Sequence, residues 1–202
     1  MLILSRKKTM KPKGTLSAFL FLSLDGFYKG ENEDISWHSH GPEESKFSED
    51  NLNSGNTLLF GKRTFQMMES FWTSESAFQT FPMVAKQMQN APKLVLSHSK
   101  LNTKWKHTDT LEPNWVQQIL QLKEKGTSIT ILGSGEVVRQ CSDLGLLDHY
   151  SLMVDPIAIG KGESLFGGLK STQSLKLEST KSFASGSVLL NYKKIQDDSV
   201  EE

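Results

Sequence analysis

Three short apolar runs, each followed at once by glycine or hydroxyl residues, constrain this chain most. They are TLLF before Gly61-Lys62-Arg63-Thr64, KLVL before Ser97-His98-Ser99, and ITIL before Gly133-Ser134-Gly135. Each reads as a strand covered on both faces, the mark of a parallel sheet flanked by helices. Helix-length segments separate the runs, as parallel crossovers require.

The flanking sequence extends this pattern. Residues 15–24, TLSAFLFLSL, form another buried strand and end at an Asp25-Gly26 turn. Pro42, Glu43 and Glu44 open a helix predicted through Leu52, with proline in the first turn and acids at the positive end of the dipole. Short helices are expected over residues 64–69 and 83–90, and a brief strand over 105–107. Residues 114–125 place Trp115, Ile119 and Leu122 at helical spacing, and Gly126 stops that helix. Residues 136–141 read as a helix and 149–154 as a strand. Two alternating strands, 175–183 and 187–195, flank Ala184-Ser185-Gly186 as a hairpin. The expected fold is α/β, with a mostly parallel sheet, an antiparallel closing hairpin and helices on both faces. One domain over 14–195 is expected, between a flexible arm (1–13) and an acidic, disordered tail (196–202).

Composition narrows the function classes. A chain of 202 residues suffices for one domain that buries about 70% of its unfolded surface. With 23 basic and 23 acidic residues there is no basic excess of the kind general nucleic-acid binders show. Cys141, the single cysteine, permits neither an internal disulfide nor a zinc site and is expected to be buried, which fits a reducing cytoplasm. The apolar stub MLIL precedes the first basic residues, the reverse of a signal peptide. No stretch approaches the roughly 18 apolar residues of a membrane span. A cytoplasmic protein acting on a small molecule is expected, with neither nucleic acid nor membrane as partner.

The strand ends share one chemistry. Ligands of parallel sheets bind beyond the carboxyl ends of the strands. A helix starting there directs free N–H groups and partial positive charge at an anion. Glycine permits close backbone approach, hydroxyls donate hydrogen bonds, and Lys62 and Arg63 neutralise charge. One such end reads equally as a solvated turn. Three with the same character point to a ligand with several phosphates, such as a dinucleotide. The P-loop does not fit, because five residues rather than four separate Gly55 from Gly61. GSGEVV has two glycines of a Rossmann fingerprint but lacks the third.

Other constellations are weaker. His38 and His40 have no third metal ligand at a recognisable spacing, so no metal site is expected. Ser97-x-x-Lys100 lacks the companion motifs of penicillin-binding enzymes. Trp37, Phe47, Phe71 and Trp72 read either as core or as walls for a flat ring.

SLDGF, LLFGKRTF, LVLSHS, ITILGSGEVV, LGLLDHYSLMVDPIAIGKGESLF and FASGSVLLNYK occur in that order. Together they resemble the dihydrofolate reductase-like superfamily, and within it the reductase branch of the RibD C-terminal domain. The resemblance implies a three-layer α/β reductase that uses NADPH. Lys62 would face the adenosine end, with Arg63 and Thr64 opening a helix at a phosphate. Ser97 and His98 would lie beside the adenine ribose and its 2′-phosphate. Gly133, Ser134 and Gly135 would lie under the pyrophosphate, with Glu136 and Val137 beginning the helix behind them. Gly61 opens the first of these turns and would also contact the cofactor.

Asp25 and Gly26 match the loop over nicotinamide and substrate. The superfamily's Gly-Gly turn, with its cis bond, is here Gly133-Ser134, leaving a trans bond or a strained one. Asp25 and Glu44 are the candidates to position a proton, although Asp-Gly is also a common turn and PEESKFSED also reads as a solvated face. Trp37, Phe47 and Lys161 are the candidate substrate contacts. The implied activity is that of 5-amino-6-(5-phosphoribosylamino)uracil reductase. The alternatives are dihydrofolate reductase and an NADPH-binding sensor without turnover. The family often forms dimers, so a homodimer is expected.

Overall fold

Strand β1 (Leu16–Ser23) shows how the sheet is built. Leu16, Ala18, Leu20 and Leu22 enter one core, and Phe19 and Phe21 enter a second on the opposite face. A strand apolar on both faces belongs in the middle of a sheet. The computed structural model, which describes residues 13–38, 41–111 and 113–195, places it there. β1 pairs in parallel with β6 (Ile129–Leu132) on one side and with β7 (His149–Asp155) on the other.

Beyond β6 lie β3 (Thr57–Gly61), β4 (Lys93–Leu96) and β5 (Thr108–Leu111), all parallel to their neighbours. Beyond β7 the closing hairpin adds β10 (Val188–Lys194) and β9 (Leu175–Ser182), both pairings antiparallel. The order is β5-β4-β3-β6-β1-β7-β10-β9. This is a dihydrofolate reductase-like α/β fold, as the sequence predicts.

Helices cover both faces. α1 (Pro42–Leu52), α2 (Lys62–Trp72) and α4 (Pro82–Asn90) cover the face that carries Phe19, Leu58 and Phe60. α5 (Trp115–Glu124) and α6 (Gly135–Asp143) pack on the Leu16–Ile131 face. Cys141 is fully buried, and burial pushes its thiol up to about 12, so it is an inert core residue. Among the described residues no helix is long and apolar enough to cross a membrane.

Several local expectations are corrected. The strand expected over 105–107 lies at Thr108–Leu111 instead. His107 has a positive φ of 58°, which breaks extended structure, and Trp105 is buried in the core. It packs on Phe60 and Phe65, with ring centroids 6.3 and 5.3 Å away, and against Lys93. Lys93 Nζ lies 4.6 Å from the Trp105 ring centroid and donates to the carbonyls of Gln89, Ala91 and Lys106 at 3.3, 2.7 and 3.1 Å.

α2 is longer at both ends than expected, because Phe65, Met68 and Trp72 continue one apolar stripe into the core. The sequence also did not reveal α3 (Glu75–Thr80), capped by Ser74, or the ribbon of β2 (Phe27–Lys29) and β8 (Glu163–Ser164). Residues 1–12 of the expected arm, and the tail at 196–202, lie outside the described residues.

Candidate active site

All five strands from β4 to β7 in the sheet order run parallel, so their carboxyl ends open on one edge. The three glycine and hydroxyl turns follow β4, β3 and β6, which are immediate neighbours. Lys62 Nζ donates to Ser99 Oγ at 2.6 Å and reaches the Lys100 carbonyl at 3.5 Å, joining the first turn to the second. A Cβ on Gly61 would lie 2.8 Å from Ser134 Oγ and 3.4 Å from Val137 Cγ2, so only glycine lets the first turn meet the third. One on Gly133 would meet Thr64 Cγ2 at 3.7 Å, an ordinary contact. The three turns therefore form one continuous surface.

That surface suits an anion. α2 and α6 start on it with Gly61 and Ser134 as N-caps, and neither helix has a side-chain cap. Their first N–H groups are the donors an anion takes. α2 has no acid in its first turn, whereas α6 carries the exposed Glu136 in its own. Val137 is buried in the core and offers its backbone only. Ser97 Oγ donates to the Ser99 carbonyl at 2.5 Å and fixes the second turn, with His98 exposed at its crest. The Gly133–Ser134 bond is trans, like every peptide bond among the described residues.

Two of the turns are met by the segment after β1. Arg63 Nη1 pairs with Glu33 Oε1 at 2.7 Å. Lys29 Nζ bridges Glu33 and Glu163 at 3.0 and 2.9 Å, and Tyr28 donates its hydroxyl to Glu163. Partial burial works against the Lys29 ammonium, but the two carboxylates outweigh it and its pKa is raised. Hydrogen bonds from Tyr28 and then Lys29 hold the Glu163 carboxyl below its usual range. The Tyr28 ring lies on α6, where a Cβ on Gly135 would come within 2.3 Å of it. Gly135 is thus required by Tyr28 whether or not a pyrophosphate approaches.

A model of the RibD C-terminal domain family matches residues 14–190. The chain belongs to the RibD C-terminal domain family. YyaP of Bacillus subtilis (strain 168) is 28% identical over 174 residues, covering 86% of this chain and 91% of YyaP. The Thermotoga maritima diaminohydroxyphosphoribosylaminopyrimidine deaminase/5-amino-6-(5-phosphoribosylamino)uracil reductase superimposes with a TM-score of 0.67 at 17% identity, over 91% of this chain and 57% of that one. Dihydrofolate reductase from Enterococcus faecalis, in complex with NADP(H) and RAB-propyl, gives 0.59 at 18% identity, over 91% and 98%. These two likenesses are of fold.

In this RibD C-terminal domain the remaining site residues separate. Asp25 is an exposed turn residue. It accepts from Ser23 Oγ at 2.6 Å, Gly160 N at 2.7 Å and Ile159 N at 3.2 Å. The Ser23 hydroxyl, followed by these amides, lowers its pKa. Such a carboxylate fastens the 157–160 loop.

Glu44 is 2% exposed, so the solvated-face reading of its sequence fails at this position. It accepts from Ser185 Oγ in the hairpin turn, while Glu43 accepts from Ala184 N at 2.9 Å. Phe47 packs beside it on Phe19 and Phe183, with centroids 5.8 and 6.2 Å apart. Trp37 is half-buried and donates to the Asp34 carbonyl at 3.1 Å. Lys161 lies beside the 28–33 segment. It is 75% exposed, 3.9 Å from Glu31, and lines a 550 Å³ hollow with Lys29, Glu33 and Glu163.

Sequence reasoning missed the group around Asp155, a buried carboxylate at the end of β7. It accepts from Ser187 Oγ at 2.8 Å and is paired with His38 Nδ1. The His38 ring lies on Phe21 with centroids 3.7 Å apart. His40 lies outside the described residues. Asp155 precedes proline at a strand end, and that position was the available signal.

Proposed function

We propose that this is a cytoplasmic, NADPH-dependent reductase of a small heterocyclic substrate, of the 5-amino-6-(5-phosphoribosylamino)uracil reductase kind. The convergence of the turns after β4, β3 and β6 on one edge carries this reading. When bound, NADPH supplies a hydride. Lys62, Ser97 and Ser99 would hold the 2′-phosphate and ribose, with Arg63 and Thr64 at a phosphate and the α6 amides at the pyrophosphate. This fits the uncapped helix starts and the acid-free first turn of α2.

The chain's chemical task is then to orient the two reactants and exclude water, which can supply about 7–11 kcal/mol. Phe47 and Trp37 flank the region for a flat ring, and Glu44 would position the proton. Lys161 would serve a phosphate on the substrate. Two copies pairing along the exposed strand β9 would form a homodimer.

Dihydrofolate reductase is the second reading. The burial of Glu44 favours it, since a buried carboxylate on this helix suits a pterin. The test is NADPH oxidation, followed by its near-ultraviolet absorbance, with 5-amino-6-(5-phosphoribosylamino)uracil and dihydrofolate in parallel. Turnover of the first supports the proposal. Turnover of dihydrofolate alone selects the second reading, and tight NADPH binding without oxidation of either selects a sensor. Absence of NADPH binding overturns all three.

A further inference from the structure

The turns after β3 and β6 are bridged by the chain's own acidic segment. From Arg63 at the start of α2, the chain of contacts runs through Glu33, Lys29, Glu163 and Tyr28 to Gly135 at the start of α6. Both helix starts thus meet the same strap, residues 28–33. Glu33 sits where Arg63 would meet an anion. Asn32 and Glu33 hold positive φ values of 55° and 64°, a backbone region unfavourable for side-chain-bearing residues.

We infer that Glu33 is a built-in competitor for the cofactor's phosphates and sets the affinity of the dinucleotide site through Arg63. This inference rests on the NADPH reading above. The Arg63 side chain is 81% exposed and that of Glu33 40% exposed, so the pair is weak and salt-screened. A phosphate carries more charge than one carboxylate and offers Arg63 a bidentate partner. It therefore displaces Glu33, at a cost to affinity. Lys62 is not subject to this competition, because its partners are Ser99 and the Lys100 carbonyl.

The test is calorimetric titration of NADPH into the wild type and into Glu33→Gln, Glu31→Gln, Arg63→Ala and the Arg63→Ala/Glu33→Gln double variant. Glu31→Gln removes the same charge from the same strap, but among the described residues the ion pair of Glu31 is with Lys161, at 3.9 Å, and not with Arg63. Glu33→Gln is expected to tighten NADPH about two- to five-fold at low salt, with the gain shrinking as salt rises. Glu31→Gln is expected to leave affinity unchanged, and Glu33→Gln to have no effect once Arg63 is gone. A wild-type dissociation constant for Glu33→Gln, or an equal gain in the Arg63→Ala background, overturns the inference.

Amide hydrogen exchange of the free protein separates this failure from failure of the cofactor reading. Glu33→Gln and Arg63→Ala should each speed exchange across residues 28–34 without any ligand. If they do so and NADPH does not bind, the strap is real and the cofactor is wrong. If exchange is unchanged, Glu33 does not hold the strap.

Discussion

Lys62 Nζ lies 2.6 Å from Ser99 Oγ, so a side chain from the end of β3 is already fixed over the end of β4. The ammonium is held between two strand tips rather than left free in solvent, with little side-chain entropy left to lose on binding. Lys62→Ala is therefore expected to weaken NADPH about 10- to 100-fold, the worth of charge-assisted hydrogen bonds. NADH, which lacks the 2′-phosphate, should lose much less. Titration of both nucleotides decides it, and equal losses would remove Lys62 from the 2′-phosphate.

Gly135 and Tyr28 give a prediction about packing. Alanine favours a helix over glycine by roughly 0.5–1 kcal/mol, yet a methyl group at Gly135 collides with the Tyr28 ring. Gly135→Ala should therefore cost about 1–3 kcal/mol in denaturant unfolding, the usual cost of overpacking. In a Tyr28→Ala background the same substitution should be neutral or stabilising. A loss that persists without the ring would mean that something other than Tyr28 demands the glycine.

Lys93 tests the buried half of the sheet. Lys93→Met keeps the stem but leaves three carbonyls without their donor, and should cost about 2–4 kcal/mol. Burial pushes its pKa from 10.5 down to about 8. Between those two values the unfolded chain binds more protons at this group than the folded one, so the Lys93 contribution to stability rises with pH across that window. The stability gap between wild type and Lys93→Met should widen from pH 8 to pH 10.5. A gap that narrows would show that the three carbonyls and the indole face hold the ammonium charged.

Most of the sheet was legible because its strands are apolar on both faces and bounded by glycine or proline. Thr57–Gly61 and Lys93–Leu96 are the clearest cases. The helix at Pro42–Leu52 was legible from the proline and acids of its first turn. The strand misplaced onto Trp105 was misread because its apolar ring is buried against Phe60, Phe65 and Lys93, tertiary contacts with no local signal. The glycine and hydroxyl turns were legible one by one from residue type. The strap over them was not: Glu33 and Arg63 are thirty positions apart, and nothing in DGFYKGENE announces a partner. Asp155 escaped for the same reason, since His38 and Ser187 reach it from distant parts of the chain.

Glu44 offers the sharpest test of turnover, because two roles can be separated there. Its carboxylate is buried and accepts from Ser185 Oγ, so it either serves the reaction or merely anchors the β9–β10 turn to α1. Ser185→Ala removes the anchor and keeps the acid, at about 1 kcal/mol of stability. Glu44→Gln keeps a polar group of the same shape and removes the acid. If Glu44 handles the proton, Glu44→Gln should lower kcat about 100-fold or more while the NADPH dissociation constant stays the same, and Ser185→Ala should leave kcat close to wild type. Equal losses of kcat in the two variants would assign Glu44 to the hairpin alone and leave the proton to an ordered water.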